Sequence, residues 1–176
     1  MADLLGAAQG EVDLLHVNFS MNVECIIALL NPTLCTERDR LPWMTALLGA
    51  LERGVTVRLM TSPEGLSGIE NRIALAYLQR EMRRRGIPTS RFEARWFPQR
   101  LHAKAILIDG RMLVVGSMNL HYSSWTQGPL GLAEYDLATS DPARNREFHH
   151  LYDHFWARAE AVDLPPFLTE TGAGEQ

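Results

Sequence analysis

An imidazole and an ammonium lie two residues apart in the chain at His102 and Lys104, and a hydroxyl and a carboxamide have the same spacing at Ser117 and Asn119. Histidine can attack phosphorus and form a covalent intermediate. The other three side chains can hold the non-bridging oxygens of a phosphate diester as charge builds on them. A leaving alkoxide also needs a proton, which the attacking histidine cannot supply. These residue types therefore suit cleavage of a phosphodiester that is assisted by a second acid.

A β-hairpin is predicted to bring these side chains to one end of a sheet. The pair Asp109-Gly110 separates two apolar segments and favours a type I′ turn, which needs positive φ at both positions. With a two-residue loop, His102 would lie opposite Ser117 and Lys104 opposite Val115. Lys104 would share the face of His102 and Ser117 because side chains alternate along a strand. Asp109 would be a turn residue at the far end of the strand. A three-residue loop would shift this register.

The spacing of these residues resembles the HKD motif of the phospholipase D superfamily. Segments 119–125 and 134–139 are also similar to bacterial phospholipase D-like and cardiolipin-synthase-like proteins, especially to their C-terminal halves. The resemblance covers most of the chain, from the first helix to Trp156. Within the motif, Ser117 is predicted to belong to the catalytic set, and Asp109, Gly110 and Gly116 are predicted to have structural roles. The motif reads His102-Ala-Lys104, four residues, Asp109, six residues, and then Gly116-Ser117-Met118-Asn119.

The resemblance implies an α/β protein, built as a layered α/β/α domain around one mixed β-sheet, with its active site at a two-fold dimer interface. It also implies a phosphohistidine mechanism without a metal or another cofactor. His102 would be the nucleophile or the general acid, and Lys104 and Asn119 would bind phosphate oxygens. Glu134 matches the acidic residue that orients the histidine through its second ring nitrogen. Leu132 stands where the family often has an asparagine.

Family active sites use two HKD motifs that face each other across a pseudo-twofold axis. This chain has a single lysine, and therefore a single His-x-Lys sequence. The second histidine must come from another polypeptide or from a missing half. The chain is either a homodimer with a shared symmetric site or one half of a two-motif protein. The second origin is slightly favoured, and isolated chains are expected to pair in either case.

Composition limits the class of protein. The 176 residues, of which 46% are hydrophobic and 22% charged, predict one soluble globular domain. Of the 17 basic residues 16 are arginine, so the surviving Lys104 marks a place where a compact ammonium is needed. The net charge of −4 argues against a protein that coats nucleic acid by bulk charge. Cys25 and Cys35 predict two buried free thiols in a reducing interior.

The N-terminus lacks the basic region of a signal peptide, and no apolar run reaches the length of a membrane span. These features predict a cytoplasmic protein that can contact a membrane surface. Alternating strands and helices predict one α/β domain over residues 1–162, followed by a flexible tail at 163–176. Strands are predicted at 12–19, 23–30, 55–60, 92–97, 101–108, 112–115 and 133–139, helices at 2–9, 41–53, 71–85 and 143–161, and loops at 61–68 and 122–131.

Side chains next to the motif are candidates for the rim of the site. Arg100, His121, Tyr122 and Trp125 would line the mouth of the pocket. Trp125 together with Gly128-Pro129 would form an apolar lip for acyl chains, or this loop simply packs against the core.

Two clusters of charged or polar residues have both a functional and a plainer interpretation. Seven arginines between positions 80 and 100 would form a basic rim or, as the simpler alternative, a solvated helix end whose cations interact favourably with the helix dipole. His150 and His154 have the i, i+4 spacing of a metal pair, but no third ligand is evident. His16 has no partner that the sequence identifies.

Three hypotheses follow from these residues. The first is a phosphodiesterase or transphosphatidylase that acts on a phospholipid headgroup, which the acidic charge and the local similarity favour. The second is a small homodimeric endonuclease of the same superfamily that acts on DNA or RNA. The third is a non-catalytic dimerisation half that keeps the motif for structure. Assays on lipids and on nucleic acids distinguish the first two, and trapping of a phosphohistidine distinguishes both from the third.

Overall fold

The computed structural model describes residues 1–22, 25–26, 35–125 and 131–164. Within these residues the strands are β1 (Glu11–His16), β2 (Thr56–Thr61), β3 (Phe92–Trp96), β4 (Lys104–Ile108), β5 (Met112–Gly116), β6 (Asp136–Thr139) and β7 (Glu160–Ala161). The helices are α1 (Ala2–Gly6), α2 (Pro42–Glu52), α3 (Gly65–Arg84), α4 (Tyr122–Trp125) and α5 (Pro142–Trp156), and a 3₁₀ turn covers Thr89–Arg91.

One mixed sheet contains these seven strands in the order β6-β5-β4-β1-β2-β3-β7. Strands β1, β2 and β3 are parallel, as crossover connections through α2 and α3 require, and the other neighbours are antiparallel. One face of the sheet packs against α1, α2 and α3, and the other packs against α5. The predicted layered α/β/α domain around one mixed sheet is therefore confirmed.

The apolar patterns that predicted the central elements correspond to buried faces. Leu47, Leu48 and Leu51 of α2 are fully buried, and Gly54, just past the helix end, adopts a positive φ of 104°. All five residues of β4 are buried, because this strand lies between β5 and β1 and is covered on both faces. Strand β4 thereby places the first residues of the motif on a rigid central element.

The predicted hairpin forms, but its register differs from the predicted one by one residue. Arg111 N–H donates to the Ile108 carbonyl (2.9 Å), and Asp109 and Gly110 both have positive φ, at 52° and 62°. The ladder nevertheless pairs Ile108 with Met112, so the loop holds three residues rather than two. The prediction that placed Lys104 opposite Val115 is therefore wrong, because Val115 pairs with Ala105. Arg111 is the extra residue that the turn motif alone did not reveal.

Several predicted boundaries also differ. Helix α3 begins at Gly65 instead of 71, because the exposed Leu66 and Ile69 in its first turns hide the usual apolar periodicity. Helix α5 ends at Trp156, before the predicted 161. The strand predicted at 23–30 falls mostly outside the described residues, and the two that are described, Cys25 and Ile26, are helical. Most of the predicted tail also lies outside them.

The prediction of two free thiols is wrong. Cys25 and Cys35 form a disulfide, with their Cα atoms 4.7 Å apart. Neighbouring positions in space decide such a pairing, and a separation of ten residues in sequence does not. The bond removes the argument that placed the chain in a reducing interior. Among the described residues, no helix has the length and apolar character needed to cross a bilayer.

Asp109 has the structural role that its turn position suggested. Its carboxylate accepts hydrogen bonds from the backbone N–H groups of Gln9, Gly10 and Glu11, at 2.7–3.2 Å. Partial burial opposes the charge, but these backbone donors outweigh it and hold the pKa of Asp109 below its ordinary value. The carboxylate thus ties the β4–β5 turn to the start of β1, at the end of the sheet away from Lys104.

Replacing this carboxylate tests the tie. We expect Asp109→Ala to lower the free energy of unfolding by about 1–3 kcal/mol, because charge-assisted hydrogen bonds are lost. Asp109→Asn is the matched control, since it keeps an acceptor oxygen and tolerates positive φ, and it should lose less. The pKa is lower in the folded chain, so the advantage of wild type over the Asn variant is complete above the unfolded pKa and disappears as pH falls through the folded one. Urea unfolding at several pH values measures both effects, and equal losses for the two variants would contradict this role.

Candidate active site

Four strand termini lie together along one side of the sheet, at the ends of the strands, and this side is called the edge of the site. Strands β1 and β5 end there at His16 and Gly116, and the antiparallel β4 and β6 begin there at Lys104 and Asp136. The segments that follow β1 and β5 also run side by side, because Phe19 and Leu120 form an isolated bridge. The topology therefore gathers residues from distant parts of the chain at this edge.

His102 and Lys104 form a close pair at this edge. His102 precedes β4, and its Nε2 lies 3.2 Å from the Lys104 Nζ, which also donates to the His102 carbonyl at 3.0 Å. The two side chains differ in environment, since His102 is exposed and Lys104 is only 8% exposed. A phosphate oxygen bound by the ammonium would thus lie next to a solvent-facing imidazole nitrogen.

Glu134 lies at the centre of a second hydrogen-bonded group. Ser117 Oγ donates to its Oε2 and Ser124 Oγ donates to its Oε1, both at 2.6 Å. Among the described residues, no hydrogen bond joins Glu134 to His102. Sequence reasoning gave no role to Ser124, because its contact depends on how α4 folds back over the motif. The group fixes both carboxylate oxygens next to the buried ammonium.

Asn119 is held through its backbone. Its N–H donates to Ser124 Oγ (3.2 Å), and its carbonyl accepts from the indole Nε1 of Trp125 (2.9 Å). The side-chain Oδ1 is buried and has no hydrogen-bond partner among the described residues. Short helix α4 therefore fixes the position of Asn119 and leaves its carboxamide unattached.

Gly116 is required where β5 ends. A Cβ atom at this position would collide with the Asp136 side chain and with the backbone of Tyr135. The close approach lets Ser117 N–H donate to the Tyr135 carbonyl (3.0 Å) while Tyr135 N–H donates to Ser117 Oγ (3.0 Å). The glycine of the motif thereby seats Ser117 against the segment that carries Glu134.

The predicted rim residues have varied surroundings. Arg100 is exposed and lies 3.9 Å from Glu64 at the start of α3. The Nδ1 of His121 contacts Ser123 Oγ (2.8 Å), and its Nε2 lies 3.5 Å from Glu70 of α3. Burial lowers the pKa of His121, and the carboxylate of Glu70 opposes this effect. These contacts bring the first turns of α3 to the mouth of the site.

Tyr122 and Trp125 are partly buried and pack against the main core, which favours a packed loop over an apolar lip. The other residues of that predicted lip, Gly128-Pro129, lie outside the described residues. The first turns of α3 instead present two apolar side chains that the sequence analysis placed in or near a loop. Leu66 is 79% exposed and Ile69 is 55% exposed.

The charge clusters predicted from sequence are largely engaged in contacts. His149 contacts Asp13 and Asp153, and His154 contacts Arg158. These contacts do not form a metal site, since no group of His, Cys, Asp or Glu among the described residues has an arrangement that could hold a metal ion. The arginine-rich stretch has acidic or carbonyl partners at Arg84 (Glu81), Arg85 (Glu52), Arg91 (Leu51 carbonyl), Arg95 (Glu93) and Arg100 (Glu64).

The electrostatics of the edge are set by one buried cation. Burial lowers the pKa of Lys104, and the carboxylate of Glu134 opposes this effect. The edge therefore offers an exposed imidazole, an ammonium and hydroxyl and amide groups, which together can bind and attack a phosphate. Of the two other histidines at this end of the sheet, His16 is fully buried and His121 is engaged by Ser123 and Glu70, so neither is placed to donate a proton to such a phosphate.

Three comparisons with known proteins bear on this arrangement. The family model described as "Cardiolipin synthase, PLD-like domain" matches residues 2–156. In fold, the chain is similar to Nuc from Salmonella typhimurium, a phospholipase D family member, with 18% identity and a TM-score of 0.64 over 92% of this chain and 87% of Nuc. NucT from Helicobacter pylori has 14% identity and a TM-score of 0.60, over 92% of this chain and 87% of NucT.

TrmBL2, an archaeal chromatin protein with a described mode of DNA binding, has 13% identity and a TM-score of 0.55 over 92% of this chain and 48% of TrmBL2. The comparison with curated proteins gave no match. At these identities the structural matches establish the fold, and the family assignment rests on the match over residues 2–156.

The Glu134 group can be tested without any substrate. Ser124→Ala removes a donor to Glu134 and the acceptor of Asn119 N–H in a buried place, so we expect the free energy of unfolding to fall by about 1–3 kcal/mol. Ser123→Ala is the matched control, because that hydroxyl contacts His121 within the described part of the chain, and its loss should stay below about 1 kcal/mol. Urea unfolding measures both values. An unchanged free energy of unfolding for Ser124→Ala would contradict a stabilising role for the hydrogen bonds around Glu134.

Proposed function

Because the chain belongs to the family of cardiolipin synthase, PLD-like domains, we propose that it cleaves phosphodiester bonds through a phosphohistidine at His102. The observation that carries the proposal is the 3.2 Å contact between His102 Nε2 and the Lys104 ammonium. A phosphate bound to that ammonium has its phosphorus next to the imidazole lone pair. Proteins of the phospholipase D superfamily generally cleave phosphodiesters, and these residues supply the groups that such cleavage needs.

The proposed reaction has two displacements at phosphorus. In the first, the Nε2 lone pair of His102 forms a bond to phosphorus, and the bond from phosphorus to the leaving oxygen breaks. Lys104 and Asn119 hold the non-bridging oxygens while a second histidine gives its proton to the leaving alkoxide. In the second, that histidine takes a proton from water or an alcohol, whose oxygen displaces His102 from phosphorus.

A phospholipid headgroup is the proposed substrate. The exposed Leu66 and Ile69 are one helical turn apart on α3, beside the Glu70 that contacts His121. Apolar side chains at the mouth of a phosphate site suit a substrate that carries acyl chains. The net charge is −4, and several arginines form ion pairs with glutamates. Few positive charges are therefore left to bind the phosphates of a nucleic acid.

Nucleic acid is the second candidate substrate, because the fold of TrmBL2, a DNA-binding chromatin protein, is similar to this one. The phosphodiester chemistry would be the same, and only the groups that hold the rest of the substrate would differ. A non-catalytic dimerisation half is the remaining alternative. Direct assays distinguish these three.

We expect hydrolysis or headgroup exchange of phosphatidylglycerol or phosphatidylcholine in vesicles, and little cleavage of plasmid or single-stranded DNA. His102→Asn should lower the rate at least about a thousandfold, because it removes the nucleophile. A chelator should leave the activity unchanged, since no step uses a metal. Rapid acid-free quenching with a labelled phosphodiester should give label on His102, and Glu147→Gln, an exposed change on α5, is the matched control. Cleavage of DNA without lipid turnover would favour the second candidate, and a folded dimer with neither activity nor label would favour the third.

The proposal also requires a second chain, because one His102 cannot both attack and protonate the leaving group. We propose that a second copy packs against a patch made by Val115, Tyr135 and Leu137. Val115 and Leu137 are paired across β5 and β6, and Tyr135 and Leu137 are 73% and 63% exposed. The patch adjoins Ser117 and Glu134, so a two-fold axis beside it would bring two sites together.

The edge position of β6 supports this surface. Within the described residues, β6 pairs with β5 on one side only and leaves its other side open. An exposed apolar patch on such an edge is a typical place for contact with another chain. Pairing would cover the patch and give each His102 a partner histidine from the other copy.

Two charge substitutions should have separate effects. Leu137→Glu should shift the chain toward monomer in sedimentation and remove activity on both vesicles and a water-soluble chromogenic phosphodiester. Leu66→Glu, a change of another exposed leucine on α3, should leave dimerisation and soluble-substrate activity intact and lower activity on vesicles. Mixing equal amounts of wild type and His102→Asn should reduce the activity of the wild-type chains to about half, because mixed dimers lack one histidine. Full activity from a demonstrated monomer would overturn the pairing.

A further inference from the structure

His16 is a buried polar side chain that the proposed reaction leaves unused. It is the last residue of β1, it is 0% exposed, and neither of its ring nitrogens has a hydrogen-bond partner among the described residues. Leaving a buried polar group without a hydrogen-bond partner destabilises the folded state. An apolar residue would avoid that cost, so the imidazole needs an explanation in its surroundings.

The register of the sheet places His16 directly beside the motif lysine. In the antiparallel pair of β1 and β4, His16 is opposite Lys104. Side chains of directly opposed residues share a face, with Cβ atoms about 4.5–5.5 Å apart. Thr61, at the end of the other neighbouring strand, uses its hydroxyl on the Val17 carbonyl. Lys104 is therefore the ionic group that faces His16 across the sheet.

The ammonium has a hydrogen-bond donor left for such a neighbour. A lysine ammonium carries three N–H donors, and the contacts of the Lys104 Nζ are the His102 carbonyl and the His102 Nε2. Both contacts are with His102, which is exposed. The remaining donor can be directed toward the core, where the imidazole of His16 lies.

The imidazole in this place is neutral. Complete burial and, to a smaller extent, the positive charge of Lys104 lower the pKa of His16 to about 3. The charged or titratable groups that act on Lys104 itself are His102 on its own segment, His16 on β1 and Glu134 before β6. A neutral ring supplies an acceptor nitrogen without adding a second positive charge beside the ammonium, and without a carboxylate that would compete with a phosphate.

We propose that His16 is a positioning residue for Lys104, whose neutral imidazole accepts a hydrogen bond from the ammonium, directly or through one buried water, and keeps that ammonium charged and directed toward the bound phosphate. The part of the proposal that concerns phosphate rests on the proposed function, whereas the contact between the two side chains does not. His16 itself lies beneath the site and does not touch the substrate.

The single lysine of this chain makes the contact measurable without a substrate. Protein made with lysine labelled at the ε-carbon has one lysine signal in its NMR spectrum, which belongs to Lys104. Its titration gives the protonation of the ammonium in wild type, His16→Leu, His16→Asn and His16→Gln. Leu14→Ala is the matched control, because it disturbs the same face of β1 opposite Ile106 instead of Lys104.

We expect the Lys104 titration of the His16→Leu variant to move to lower pH, since the acceptor that favours the charged form is gone. At least one amide variant should restore the wild-type titration, and Leu14→Ala should leave it unchanged while lowering stability. Where phosphodiester activity is present, the alkaline limb of kcat/KM should move in the same direction, with about a tenfold loss at its upper end. A purely structural role for His16 would lower stability and move neither titration.

An unchanged Lys104 titration in folded His16→Leu would overturn the proposal. If that variant does not fold, the histidine rings of wild type provide the same test. The NMR ring signal that disappears in His16→Asn belongs to His16. This ring should stay neutral across the ordinary pH range, and its signal should shift as Lys104 loses its proton. A ring that does not respond to Lys104 would also overturn it. Absence of all phosphodiester activity together with the expected titration would reject the proposed function and leave this contact standing.

Discussion

The site depends on keeping the ammonium of Lys104 charged although the side chain is almost buried. Burial disfavours that charge, and Glu134 is the carboxylate that opposes the effect. Glu134 is itself fixed by Ser117 and Ser124, and Ser117 reaches it because Gly116 allows β5 to approach the segment before β6. A single cation thus accounts for several contacts that come from separate parts of the chain.

Stability and chemistry are separated along the same strands. At one end of β4 and β5, Asp109 ties the turn to the start of β1 and takes no part in the site. At the other end, His102 and Ser117 are exposed, so the groups proposed to act on a phosphate face the solvent. The apolar patch on edge strand β6 lies on this side, and it is the surface against which we propose that a second chain packs.

Sequence patterns identified much of this arrangement, because much of it is local. The apolar face of α2 and the double burial of β4 follow from periodicity, and the pairing of His102 with Lys104 follows from their spacing. Patterns failed where two local signals compete. The Asp109-Gly110 turn was recognised, but the ladder pairs Ile108 with Met112, and the exposed Leu66 made the start of α3 look like a loop.

The sequence by itself determined the residue types of the site, the family motif that they resemble and the fold class, because all three depend on short spacings along the chain. Only the tertiary structure decided which distant groups surround Lys104. Ser124 reaches Glu134 through α4, and His16 of β1 lies opposite Lys104 of β4. These contacts depend on strand order and register, which are properties of the whole sheet and are not encoded in the spacing of any one segment.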